Sequence, residues 1–277
     1  MADFISQKTI KLKLHDGWKG VAAEKWSDFI FEPNSLTEKT NQTFKSENGN
    51  VTALKQIECR GEKHFVVVKK IVSRNGVRAF VDLLRTSKSL RNFKLAILLN
   101  QNGIEAAEPV AALWHNTQGN IYVTEYIRDS LNLYEIAFGK NREILDNFSA
   151  RKAVIIQVAE LLAKLHKANF WHRDPKAGNF IAFKKDNTYK VKLIDMDGIK
   201  QNLFDCGENR VKTLSKLAQT LTRFKTVNFA DLYRGFKIYC RAMDINDAEA
   251  KELFRKVERE TVTLRLLTAI EDSKKFK

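Results

Sequence analysis

Apolar and polar residues alternate strictly over Lys8-Thr9-Ile10-Lys11-Leu12-Lys13-Leu14, which puts Ile10, Leu12 and Leu14 on one side and Lys11 and Lys13 on the other. A period of two marks a half-buried strand. Trp18, Trp26, Phe29 and Phe31 follow without a regular period and read as packing residues in an irregular cover. Residues 41–46 and 51–58 are strand-like and flank Asn48-Gly49-Asn50, and Asn-Gly between two such runs is a hairpin signal. A second turn at Arg60-Gly61-Glu62 leads into His64-Phe65-Val66-Val67-Val68-Lys69-Lys70-Ile71, a further strand. Over 87–101 the apolar positions Leu90, Phe93, Leu95, Ile97, Leu98 and Leu99 suit a helix with one buried face, closed by Asn102-Gly103. Residues 110–113 and 121–127 read as two strands, and the polar stretch 128–130 as a boundary.

The second half changes period. Val154, Ile155, Val158, Leu161, Leu162 and Leu165 make 150–168 the most regular helix of the chain. A short hairpin is expected from 180–183 and 191–194 about Asp186-Asn187, and three basic amphipathic helices over 210–224, 228–242 and 247–269. There is no internal repeat or low-complexity tract, and only 273–277 reads as a disordered tail. Strands followed by helices give an α+β protein with a boundary near 127.

With 277 residues and 44% hydrophobic content, the chain can build one large or two modest cores. Lys and Arg number 48 against 33 Asp and Glu, a formal +15. That excess fits an anionic partner, whether nucleic acid, phospholipid headgroups or an acidic substrate, and charge alone does not choose. Cys59, Cys206 and Cys240 are far apart and form no CxxC pair, so a reducing compartment is expected rather than a disulfide framework or zinc site. The start lacks the basic and apolar segments of a signal peptide, and no apolar run reaches the roughly 20 residues that span a bilayer.

The chemistry gathers after the long helix. Phe170-Trp171-His172-Arg173-Asp174-Pro175-Lys176-Ala177-Gly178-Asn179 reads H-R-D-x-K-x-x-N, and Leu193-Ile194-Asp195-Met196-Asp197 closes the following strand. Phosphoryl transfer needs a carboxylate to orient and deprotonate the attacking hydroxyl, and an amide oxygen plus a second carboxylate to hold Mg²⁺ on the phosphates. Asp174 suits the first role, with Lys176 placed to offset charge on the transferred group. Asn179 and Asp195 suit the metal. His172 is read as a support for loop geometry. Upstream, Val67-Val68-Lys69 is similar to the strand whose Lys reaches the α/β-phosphates, with Lys70 on the opposite face as second choice. The backbone of Glu125, Tyr126 and Ile127 is the expected hinge for the adenine edge, and the turn at Asn48 and Gly49 the expected cover over the phosphates, although it lacks G-x-G-x-x-G.

On these residues the chain resembles the protein-kinase-like superfamily, and within it the bacterial lipopolysaccharide core (Kdo/heptose) kinases. Gly17-Trp18-Lys19-Gly20, Ser87-Lys88-Ser89-Leu90-Arg91 and Asn102-Gly103-Ile104 leading to Pro109 add to the likeness. The resemblance implies a two-lobed fold, with a small antiparallel-sheet N-lobe over 1–127 and a mainly helical C-lobe over 128–277. It implies ATP and Mg²⁺ as cofactors and a sugar hydroxyl on a lipid-linked saccharide as acceptor. The expected place is cytoplasmic, peripheral at the inner face of the cytoplasmic membrane, where the basic surface would meet anionic lipid. A lipid surface is thus expected ahead of nucleic acid, and the oligomeric state stays open. Two departures stand out. Gly198 occupies the position where Arg is expected after D-x-D, and the helix at 87–101 contains no acid to pair the strand Lys, leaving Asp82 as the nearest candidate. The competing readings are another small-molecule or protein kinase of the superfamily, and a pseudokinase that binds an anionic partner. No A-P-E follows Asp195 and the next helix starts soon after, which argues against a protein substrate.

Overall fold

The computed structural model describes residues 9–38, 40–72, 86–202 and 207–275. The chain divides into two compact units, Met1–Asn102 with Ala106–Ile127, and Gly103–Glu105 with Arg128–Lys277.

The first unit is built on seven strands: β1 (Thr9–Leu12), β2 (Lys19–Ala23), β3 (Gln42–Glu47), β4 (Asn50–Cys59), β5 (Glu62–Ile71), β6 (Pro109–His115) and β7 (Gly119–Glu125). They form one antiparallel sheet in the order β1-β2-β6-β7-β5-β4-β3. Its two tight hairpins follow from local chemistry. Asn48 and Gly49 have φ of +48° and +76°, and Arg60 and Gly61 +53° and +76°. Two successive positive φ values suit the right-handed twist of the flanking strands, and Asn-Gly reaches them at least cost. β5 lies inside the sheet between β4 and β7. Val66 and Val68 are fully buried on one face, and Lys70 shares their parity, whereas Lys69 shares the half-buried face with Phe65 and Val67. The segment around Trp18 contains β2, which was not expected: Gly20, Ala22 and Ala23 carry too little apolar surface to show a period, yet β2 pairs with β6 through Lys19 to Ala22. Trp18, Trp26 and Phe31 are buried, in line with a packing role.

α1 (Pro33–Thr37) is a single turn, and α2 (Lys88–Gln101) packs on β6 and β7. Ser87 caps α2, its hydroxyl accepting from Leu90 N–H at 3.2 Å. Phe93, Ala96, Ile97 and Leu99 give the buried face. Ser89 is buried with them and donates to the Leu113 carbonyl at 2.8 Å, which offsets the cost of burying a hydroxyl. α2 holds no acidic residue, and Asp82 lies outside the described residues.

The second unit contains α3 (Leu133–Ala137), α4 (Arg142–Asp146), α5 (Phe148–Lys167), α6 (Gly207–Leu221), α7 (Phe229–Ala242) and α8 (Asp247–Lys275). Short strands β8 (Ser130–Asn132), β10 (Phe180–Lys185) and β11 (Thr188–Leu193) form a sheet in the order β11-β10-β8, and β9 (Phe170–His172) pairs with β12 (Ile199–Gln201). α5 is the central helix, with Val154, Ala159, Leu161, Leu162 and Leu165 buried, and α7 and β11 pack on it. The stretch read as a polar boundary therefore ends in structure. Ser130 begins β8, which pairs with β10, and Asn132 caps α3 in a reciprocal capping box with Glu135. The β9–β12 pair also escaped the pattern, because three-residue strands are shorter than any period can reveal.

Candidate active site

The second unit holds the H-R-D-x-K-x-x-N loop from both ends. α5 stops at Asn169, whose φ of +58° turns the chain into β9. Asn tolerates this region better than most residues because its short side chain bonds locally. β9 then pairs with β12, Ile199 opposite His172, and Arg173 N–H donates to Gly198 O at 2.8 Å. The loop is thus clamped to the segment just after Asp195-Met196-Asp197.

Inside the loop Asp174 is fixed through its backbone. Its N–H donates to His172 Nδ1 at 3.1 Å, and its carbonyl accepts from Lys176 N–H at 2.9 Å and from Asn179 Nδ2 at 3.2 Å. Its side chain is about half exposed and stands 3.0 Å from Lys176 Nζ. Three of the residues singled out from the sequence, Asp174, Lys176 and Asn179, therefore meet in one short hydrogen-bonded loop. Asp195 joins them through the β10–β11 hairpin. Phe180 pairs with Leu193, and Ile194 N–H donates to Asn179 O at 3.0 Å, so Asn179 and Asp195 stand at the same end of the hairpin.

The donors suit a hard cation. The Asp174 carbonyl can only accept, so it fixes Asn179 with its amino group inward and leaves Oδ1 as the outer atom. Asp195 Oδ1 accepts from Asp197 N–H at 3.2 Å, and a carboxylate keeps further acceptor sites after one such bond. Among the described residues no group of three or more His, Cys, Asp or Glu could hold a metal. Mg²⁺ needs none, since it is usually held by one or two protein oxygens together with water and phosphate.

Two threonines of α6 brace this loop, and sequence reading missed both. The Thr213 hydroxyl, fully buried, lies 3.2 Å from His172 O, and Ala177 N–H donates to Thr220 Oγ1 at 3.2 Å. Only their spacing of seven on a helix, which puts them on one face, could have pointed to them. Gly198 also acquires a reason. A Cβ there would lie 2.2 Å from Cε1 and 2.5 Å from Nδ1 of His172. The imidazole occupies the space a side chain would need where an Arg was expected, so a side chain there would have to displace it.

His172 is 1% exposed, and burial pushes its pKa down to about 4, over the opposing pull of the nearby Asp195 and Asp174 carboxylates. His166 of α5 is buried with its Nδ1 2.8 Å from Tyr239 Oη, and burial, aided by Arg210, holds it at about 3. Both rings are neutral in the folded protein. Below about pH 6.5 the unfolded chain takes up protons that the native rings refuse, so stability should fall with pH toward 4. The slope is about 1.4 kcal/mol per pH unit for each ring, hence about 4 kcal/mol in all at pH 5. Carboxylates whose pKa is lowered by a lysine hydrogen bond, such as Glu143 by Lys184 and Glu252 by Lys256, add a loss in the same direction once the pH falls below the ordinary value of 4.5. Urea melts at pH 7.5 and 5 check it, and equal midpoints would show that the rings are not held neutral.

The nucleotide-binding candidates lie in the first unit. Lys69 sits in mid-sheet opposite Thr52 and Tyr122. Glu125 N–H donates to Glu108 O and Tyr126 N–H to Phe65 O, both at 3.0 Å, and the Glu125 carboxylate is paired with Lys25. These two N–H groups are committed to the unit itself. Asn48 and Gly49 form the tip of the β3–β4 hairpin, where a Cβ on Gly49 would approach Val72 to 3.3 Å.

Comparison with solved structures finds one described as WaaP in complex with acyl carrier protein, at 19% identity and a TM-score of 0.53, covering 83% of this chain and 92% of that one. The likeness establishes the fold: an antiparallel-sheet N-terminal part and a helical C-terminal part, as in that kinase. A direct comparison with curated proteins finds no match. The lipopolysaccharide kinase (Kdo/WaaP) family, in contrast, matches over residues 36–253. That span runs from α1 through the H-R-D-x-K-x-x-N loop and Asp195 into α8, and the chain belongs to this family of phosphotransferases.

Proposed function

We propose that the protein transfers the γ-phosphate of ATP to a sugar hydroxyl of a lipopolysaccharide-core acceptor of the Kdo–lipid A type. The observation that carries this is the convergence of Asp174, Lys176, Asn179 and Asp195 in a chain of the lipopolysaccharide kinase family. In this reading the Asp174 carboxylate accepts the proton of the attacking hydroxyl, and the loop's backbone bonds hold that carboxylate in place. Lys176, already within ion-pair reach of Asp174, faces the transferred group and offsets its charge. Asn179 Oδ1 and Asp195 would hold Mg²⁺, which when bound neutralises charge on the phosphates. Lys69 would meet the α/β-phosphates, the turn at Asn48 and Gly49 would cover them, and the backbone from Glu125 to Ile127 would receive the adenine. The first unit would then act as the nucleotide-covering lobe and the second as the catalytic lobe.

Because the acceptor is lipid-linked, a peripheral position on an anionic membrane fits the formal +15. Among the described residues no helix is long and apolar enough to cross a membrane. A carrier protein is a second partner to test. The similar WaaP structure holds acyl carrier protein, and the helical unit here contains an apolar cavity of about 380 Å³ bordered by Leu133, Val158, Leu162, Leu217, Phe236 and Tyr239.

The test is transfer of labelled γ-phosphate to a panel of acceptors: Kdo–lipid A, heptose-bearing core, an aminoglycoside and a protein, each with and without acyl carrier protein. Transfer to a core saccharide alone is expected. Preference for the aminoglycoside or the protein would overturn the acceptor assignment, and Mg·ATP binding without any transfer would point to a pseudokinase.

A further inference from the structure

α8 is apolar on two opposite sides, and among the described residues one of them is buried while the other is exposed. Toward α6 it turns Val257 and Thr261, at 8% and 9% exposure. The Ser215 hydroxyl donates to Val257 O at 3.1 Å, and Gln219 Nε2 donates to Thr268 Oγ1 at 3.0 Å. Successive helical residues advance by about 100°, so Arg255, Arg259, Val262, Leu266 and Ile270 all fall within an arc of about 80°. That arc is centred on the side away from Val257 and Thr261. Val262, Leu266 and Ile270 are 52%, 61% and 51% exposed there, and Leu267 beside them 52%. Val262 also borders the groove rimmed by the exposed Phe229 and Tyr233 of α7. A helix that buries one stripe needs no second apolar stripe facing water.

We propose that this outer face of α8 docks on an anionic lipid bilayer and holds the enzyme at the surface where its lipid-linked acceptor lies. The proposal rests on the acceptor class given above. The charges on the face select the occupant. Arg255 and Arg259 stand on the apolar arc itself, one to two turns before Val262. The acid at the edge of the arc, Glu252, is held by Lys256 at 2.5 Å, and Glu249, Glu258, Glu260, Glu271 and Asp272 project off it. Lipid phosphates meet the two guanidinium groups while acyl chains receive the Val, Leu and Ile side chains, the arrangement of a helix lying in the interface plane. A second copy of this chain offers Arg255 and Arg259 on the same face only Glu252, which Lys256 already holds, and it brings another formal +15. α6 ties the two functions together, since it braces the catalytic loop through Thr213 and Thr220 and seats α8 through Ser215 and Gln219.

The test is co-sedimentation of the full chain with vesicles of two parts phosphatidylcholine to one part phosphatidylglycerol, and with pure phosphatidylcholine. Binding is expected to the first and not the second. Arg255→Gln with Arg259→Gln should weaken it roughly twenty-fivefold, at about fivefold per lost cation. Leu266→Ser with Ile270→Ser should weaken it by about tenfold or more. All four positions are exposed, so circular dichroism and melting should be unchanged, as should transfer to a water-soluble deacylated acceptor. Variants that bind like the parent, or a parent that ignores phosphatidylglycerol, would overturn the proposal. So would a dimer, or a complex with acyl carrier protein, that Leu266→Ser with Ile270→Ser dissolves. Vesicle binding as expected but no transfer to any acceptor would sink the catalytic reading and leave the docking face standing.

Discussion

Asp174→Asn is expected to slow phosphate transfer by roughly a hundred- to ten-thousandfold, the usual range for losing a general base. The protein should stay folded and keep its affinity for nucleotide. The separation follows from how the residue is held. Its three hydrogen bonds, to His172 Nδ1, Lys176 N–H and Asn179 Nδ2, all use backbone atoms, which an amide side chain does not disturb. What is lost is the carboxylate's basicity and its ion pair with Lys176 at 3.0 Å. That pair is about half exposed and contributes at most about 1 kcal/mol. The measurement is kcat with a core saccharide acceptor beside a urea melt. Turnover within threefold of the parent would remove Asp174 from the base role, and a large drop in stability would make the activity loss uninterpretable.

Gly198→Ala should be the most damaging single methyl in the site. The added carbon would lie 2.2 Å from a ring atom of His172, and the ring cannot withdraw. It is 1% exposed, its Nδ1 accepts from Asp174 N–H, and its backbone carbonyl is met by Thr213. Overpacking of this kind typically costs about 1–3 kcal/mol, sometimes more. Because the displaced ring anchors Asp174, a fall in kcat of about tenfold or more should accompany it. A double-mutant cycle with His172→Ala checks the cause. Removing the ring first should make Gly198→Ala nearly neutral for stability, a coupling above about 1 kcal/mol. Additive effects would mean that the clash with His172 is not the source.

The family assignment and the site were legible to different depths. The H-R-D-x-K-x-x-N and L-I-D-x-D strings, the long α5 and the Asn-Gly hairpin are local patterns, and local patterns survive in sequence because the chemistry or the backbone dictates them one residue at a time. Strand parity puts Lys69 and Lys70 on opposite faces, and the likeness to the V-A-I-K strand is what favours Lys69. The backbone of Glu125 to Ile127 was expected at the adenine edge, and sequence does not reveal that the Glu108 and Phe65 carbonyls already take the N–H groups of Glu125 and Tyr126.

Spacing and residue type by themselves determined the fold class, the kinase-family likeness and the four polar residues of the loop and hairpin. Tertiary structure decided what holds them and what else the chain presents. Thr213 and Thr220 matter because α6 happens to lie against the loop. Gly198 matters because a ring drawn from elsewhere in the chain rests on it. The stripe on α8 became visible as a surface only once the opposite stripe was seen to be buried. Each of these depends on contacts between residues distant in sequence, and no local period encodes which partner arrives.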